Sequence, residues 1–198
     1  MGAHKILNET LLRLTKALEG GASDLNCLRS WSAFIRVRDG NRCLACSSTH
    51  SLAAHHIVRK SFLPEARFQT GNGITLCSKC HRSAHAGFNG KADLSQPMDA
   101  QGGEKIDMLA ELFGILLENA RSRGMLCDIY YHFSEIALRK FKLFQGFDPS
   151  TEFSGYPLEQ AYSIWRQAPR NVLNAVLAAN GLGPISVPDP GSIYVEFR

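Results

Sequence analysis

Apolar positions recur at helical spacing near the start of the chain, where Leu7, Leu11, Leu12, Leu14 and Leu18 predict one helix that Gly20 and Gly21 end. A second helix is predicted from Asp24, with Ser23 as N-cap and Leu28, Trp31, Phe34 and Ile35 on one face, stopping before the turn signal of Asp39 and Gly40. The period then changes. SLAAHHIV and GNGITL are apolar runs of strand length on either side of a loop around Pro64, and CSKCHRSAH follows as a helix, so the order is two strands and a helix. AGFNGKADLSQPMDAQGG is rich in Gly, Asp, Ser and Pro and predicts a linker. Helical spacing returns with Ile106, Leu109, Leu112, Phe113, Leu116 and Leu117, and again after Gly124 with Ile129, Phe133, Ile136, Ala137 and Phe141. Shorter helices are expected from Leu158 to Gln167 and from Asn171 to Ala179, and SIYVEF at the end reads as a lone strand. The chain divides into an N-terminal helix (1–23), a central unit (24–90), a linker (91–103) and a helical C-terminal region (104–198).

Composition changes this picture little: 198 residues, 44% of them hydrophobic and 20% charged, suffice for a globular core. Lys5, Glu9, Arg13, Lys16 and Glu19 interrupt the first apolar positions, so no export signal or spanning helix is expected and the location expected is cytoplasmic. Charge changes it more. Between Cys27 and Lys91 ten Lys and Arg stand against Asp39 and Glu65, an excess of eight positive charges within a chain of net charge +4, which leaves the remainder at −4. A basic block in an otherwise acidic chain points to a polyanionic partner.

CSKCHRSAH can be read as a haem-attachment motif or as half of a metal site. Haem would leave the second CxxC, Cys43 to Cys46, unexplained. Two CxxC pairs are better satisfied as four thiolates, Cys43, Cys46, Cys77 and Cys80, around one structural zinc, with disulfides or unliganded thiols as the alternatives. Thirty residues separate the pairs, so something compact must be inserted between them. Cys27 and Cys127 default to small buried residues. If Cys80 belongs to the zinc site, His81 is available with His85, four positions on and on the same helical face. On a strand His55 and His56 point to opposite sides, so one of the two can join them at a metal and the other stays off it. Three imidazoles on a metal, with an unliganded histidine as general base, form a phosphodiesterase arrangement. A zinc deaminase is excluded, because the chain lacks both a histidine and glutamate two apart and a Pro-Cys-x-x-Cys.

WSAFIRVRDGNRCLAC, AAHHIV and GNGITLCSKCHRSAH together resemble an HNH nuclease of the ββα-metal type with paired zinc knuckles, in the histidine-rich subset typified by the colicin DNases. The resemblance covers a little over a quarter of the chain. It implies an α+β fold: a small ββα-metal core with a four-cysteine zinc site, flanked by N-terminal helices and a mostly α-helical C-terminal region. It further implies His55, His81 and His85 as ligands of a catalytic divalent metal, His56 as general base, and Asn72 holding the hairpin loop or orienting the base. The activity implied is endonucleolytic hydrolysis of DNA to a 5′-phosphate and a 3′-hydroxyl. Many family members carry Asp at the position of His55 and often Asn near that of His81; the all-imidazole set here moves the preference toward zinc, nickel or cobalt, relative to manganese or magnesium.

Arg36, Arg38, Arg42, Arg59 and Lys60 are the expected phosphate contacts, which set binding strength without reading bases. The alternative to a nuclease is a zinc-stabilised nucleic-acid-binding or adaptor module, which needs the cysteines and arginines but has no use for His56 as a base. The C-terminal apolar stripes are expected to pack on the core, with a homodimer seam or a docked protein partner as the other uses.

Overall fold

The computed structural model describes residues 2–60, 63–85, 106–145 and 147–167, together with a strand pair at 185–186 and 194–195. Helix α1 (Gly2–Glu19) packs on α2 (Asp24–Arg38) through Leu7, Leu11 and Leu14, positions that share one face. Leu12 and Leu18, expected on that stripe, are exposed instead: Leu12 turns away by geometry, and Leu18 lies in the last turn. Gly21, at φ +63°, ends the helix in the left-handed region. Ser23 stands at the N-cap of α2, but its side chain makes no cap bond; its carbonyl accepts from the amides of Asn26 and Cys27.

Strands β1 (Leu52–His56) and β2 (Gly73–Cys77) pair antiparallel with Leu52 opposite Cys77 and His56 opposite Gly73. β2 is buried throughout. Among the described residues the intervening loop contains two 3-10 turns, Pro64–Ala66 and Thr70–Asn72, and α3 (Ser78–Ala84) follows β2 directly. The architecture is α+β, with the predicted order of two strands and a helix.

In the C-terminal region α4 (Ile106–Ser122), α5 (Glu135–Phe144) and α6 (Pro157–Arg166) surround a chain of edge-on rings, in which Phe133 links Phe113 to Phe141 and Phe141 meets Trp165. α5 begins later than the apolar spacing predicts. Residues 126–133 are turns and irregular backbone that bonds to the hairpin loop, so Ile129 is exposed rather than core; Ile136, in the first turn of α5, is exposed too, and Ser134 caps α5 by accepting from the amide of Ala137 at 3.2 Å. The buried residues of these helices are continuous with those of α1, α2 and the hairpin. The expected lone strand is paired: β4 (Tyr194–Val195) lies antiparallel to β3 (Ile185–Ser186). The linker at 91–103 and the helix expected from Asn171 to Ala179 lie outside the described residues. Among the described residues no helix is long and apolar enough to cross a membrane.

At the centre is an ion pair. Arg38 and Asp39 are both fully buried, joined Nε to Oδ1 at 2.8 Å. The guanidinium donates to the carbonyls of Thr70 and Gly73 and lies 4.5 Å from the centroid of the Tyr131 ring, while Asp39 accepts from the amide of Thr75 at 2.7 Å. Arg38, expected among the phosphate contacts, is therefore an internal tie with no access to a nucleic acid. Removing one partner strands the other charge. Asp39→Ala should lower stability by about 3–5 kcal/mol, read as a lower midpoint in urea unfolding of the full chain.

Candidate active site

The first knuckle is made by local backbone geometry. The amide of Cys43 donates to the carbonyl of Ser48 and that of Ser47 to the carbonyl of Cys43, both at 2.8 Å, with Ser47 in the left-handed region at φ +62°. The amide of Leu44 donates to Thr75 at 3.0 Å, docking the knuckle on β2. Cys77 ends β2 and Cys80 lies on α3, which brings the four sulfurs of Cys43, Cys46, Cys77 and Cys80 within 4.8 Å of one another. The backbone amide of Cys80 holds the Cys77 thiol down to about 6, whereas burial, followed by the neighbouring sulfurs, pushes Cys80 up to about 12. Sulfurs so crowded cannot all become thiolates unless a cation stands among them. The set fits a closed, four-coordinate structural metal. Of the two remaining cysteines, Cys27 is buried and Cys127 half-buried.

The second cluster comes from β1 and α3. His55, on one side of its strand, meets His81 and His85, with the ring nitrogens within 4.8 Å of one another and ring centroids 4.6–5.0 Å apart. Burial, and then the proximity of His85, His81 and His56, lowers His55 to about 3; burial also lowers His81 and His85. Three neutral imidazoles converging on one point fit a cation that prefers nitrogen ligands. The proximity of His81, and after it the charge of Arg59, itself buried, lowers His85 further.

His56 points to the other side. Its ring stacks on the Trp31 indole, centroids 4.1 Å apart and planes 9° from parallel, and its Nε2 lies 2.8 Å from the Arg67 carbonyl oxygen. A carbonyl only accepts, so Nε2 carries the hydrogen and Nδ1 keeps its lone pair. Burial lowers His56 to about 4 against the opposing pull of the Arg67 carbonyl. Gly73 makes the stack feasible: it faces His56 in the hairpin register, and a Cβ there would come within 2.6 Å of the Trp31 ring. The indole occupies the space that a side chain at this position would take.

Asn72, fully buried, accepts from the amide of Val58 at 2.8 Å and donates to the carbonyls of Val58 and Ala66 at 2.9 and 3.1 Å, closing the loop from both ends. Of the expected phosphate contacts other than Arg38, Arg42 and Lys60 are exposed, and Arg36 is half-buried and donates to Ser32. Trp31 and Arg67 were not legible as site residues. The apolar face of α2 marks Trp31 as buried, and nothing in the sequence couples it to His56 except the glycine opposite.

Residues 43–87 match the family model of the HNH endonucleases, a segment that contains both clusters and His56. No curated protein and no solved structure matches the chain. The family match carries a nuclease-type function and agrees with metal binding at the two clusters.

Two outcomes follow from this geometry. Cys43→Ser should cost one equivalent of bound metal by elemental analysis and lower the thermal midpoint. Gly73→Ala should displace Trp31 from His56, seen as changed tryptophan emission, and lower stability by about 1–3 kcal/mol through overpacking.

Proposed function

We propose that the chain is a metal-dependent endonuclease that hydrolyses DNA phosphodiester bonds, with His56 as general base and His55, His81 and His85 as the ligands of the catalytic ion. The observation that carries this reading is the division of labour along β1: His55 turns into a three-imidazole cluster, and its neighbour His56 turns to the other side and is held there with a defined tautomer. A metal held by the three imidazoles would polarise a phosphate oxygen and stabilise the departing alkoxide. The four-cysteine site takes structural zinc in this reading, because a closed set of thiolates offers no open position.

The chain's own residues do the rest. Nδ1 of His56 accepts the proton of the attacking water, and as the ring gains charge its Nε2–H bond to the Arg67 carbonyl strengthens. Trp31 prevents the ring from turning. Asn72 fixes the loop that supplies the Arg67 carbonyl. Arg42 and Lys60 on the surface, with Arg36, contact phosphates and make binding salt-sensitive. Arg59, buried yet close enough to act on the charge of His85, belongs in this reading to the phosphate contacts nearest the metal cluster.

Supercoiled plasmid incubated with metal-stripped protein, resupplied separately with magnesium, manganese, nickel, cobalt and zinc, tests this directly. Nicking should depend on the added metal, rank nickel, cobalt and zinc above magnesium, and fall by about 10²–10⁴-fold in His56→Ala with the fold intact. Retained DNA binding without cutting by any metal would instead support a zinc-stabilised binding module, and equal cutting by both proteins would remove His56 as the base.

A further inference from the structure

We propose that the segment Tyr131–Ser134 of the C-terminal region is a positioning element for His56, acting through Gln69 and Trp31; the catalytic consequence rests on His56 being the base. Both contacts of the His56 ring depend on the stretch 67–71. Arg67 supplies the carbonyl that fixes Nε2, and Trp31, which covers the ring face, donates through its own Nε1 to the carbonyl of Gln69 at 3.2 Å. This stretch belongs to neither strand, and beyond the Asn72 brace and its own turn bonds its side chains are held from outside the hairpin.

Four hydrogen bonds join it to the C-terminal region. Gln69 Nε2 donates to Ser134 Oγ at 2.7 Å while Gln69 Oε1 accepts from the Ser134 amide at 3.1 Å, so the side-chain amide is engaged at both ends. The His132 amide donates to Thr70 Oγ1 at 2.8 Å, and the Gly71 amide donates to the His132 carbonyl at 2.9 Å. Gly71 has no room for more: a Cβ there would run into the Phe133 ring. Lys140 on α5 pairs with Glu65 at the front of the same loop. The segment that matches the nuclease family ends at residue 87, so it holds the Asn72 brace of the base loop but lacks the His132 and Ser134 partners of Gln69, Thr70 and Gly71. The geometry makes the C-terminal helices part of the site's scaffold rather than a separable appendage.

The test uses the full chain, zinc-loaded so that it is diamagnetic. Gln69→Leu with Thr70→Val removes three of the four bonds and leaves Trp31, Arg67, Asn72 and every proposed ligand in place. The His56 ring protons, shifted upfield in the wild type by the stacked indole, should move toward ordinary imidazole values. In a Trp165→Phe background, where Trp31 is the remaining tryptophan of two, emission should change with them. In the nicking assay kcat should fall about ten- to a hundredfold with KM and metal content unchanged, and Thr70→Ser, which keeps the oxygen, should behave as wild type. If the double variant unfolds, Thr70→Val alone supplies the same measurements. His56 resonances and Trp31 emission that do not move would overturn the positioning role, whatever the activity. If the wild type cuts nothing with any metal, the nuclease reading fails by itself, and a shifted His56 signal would still establish the positioning.

Discussion

The Arg38 guanidinium ties together segments that no regular secondary structure connects. It ends α2, pairs with Asp39, bonds to the carbonyls on either side of the turn Gly71–Asn72, and stacks on Tyr131 from the C-terminal region. A cation so deep is tolerable only when every direction is answered, and the answers come from three regions far apart in sequence. Its partner Asp39 does the same on the other side by accepting from Thr75 in the middle of β2. The hairpin is only five residues long in each strand and would be marginal alone. Held by this pair and by the knuckle docked on Thr75, it becomes rigid enough to keep His55 in its cluster and His56 on the opposite side.

That separation is a consequence of the strand period. Adjacent residues on β1 point to opposite sides, so His55 and His56 cannot share a metal, whatever their affinity for it. The same hairpin that keeps them apart also serves each: Cys77 and α3 continue from β2 to build the two clusters, and Gly73 opposite His56 leaves the opening that Trp31 fills. The two glycines of GNG are thus required by neighbours, Phe133 for Gly71 and Trp31 for Gly73, rather than by an unusual backbone angle.

The cysteine and histidine spacings were the most legible part of the chain, because a metal site needs several residues of few types at fixed intervals and leaves a pattern that packing alone does not. The elements were legible from apolar period, including both strands and the helix that follows them. The start of α5 was not: Ile129 and Phe133 sit four apart as a helix would place them, yet the first is exposed and the second is buried, since the segment spends its backbone groups on residues 69–71. Such a non-local partner has no signature in spacing. Asn72 was legible as a loop or base residue, and its bonds to Val58 and Ala66 are those of a loop brace. Trp31 was legible as core, but not as the surface on which a histidine is stacked.

Charge was the least faithful guide. The basic excess between Cys27 and Lys91 already sets Asp39 against Arg38, whose charge it meets internally, but it counts in full Arg67, which pairs with Asp24 outside that span. Arg59 is buried as well. Among the described residues, those left exposed are Arg29, Arg42, Lys60, Lys79 and Arg82, with Arg36 half-buried, and Lys79 and Arg82 ride on the same short helix as His81. A polyanion drawn to that set is drawn to the helix that carries two of the three imidazoles. The cationic side chains open to a partner are therefore fewer than the sequence count suggests, and some of them lie on that helix.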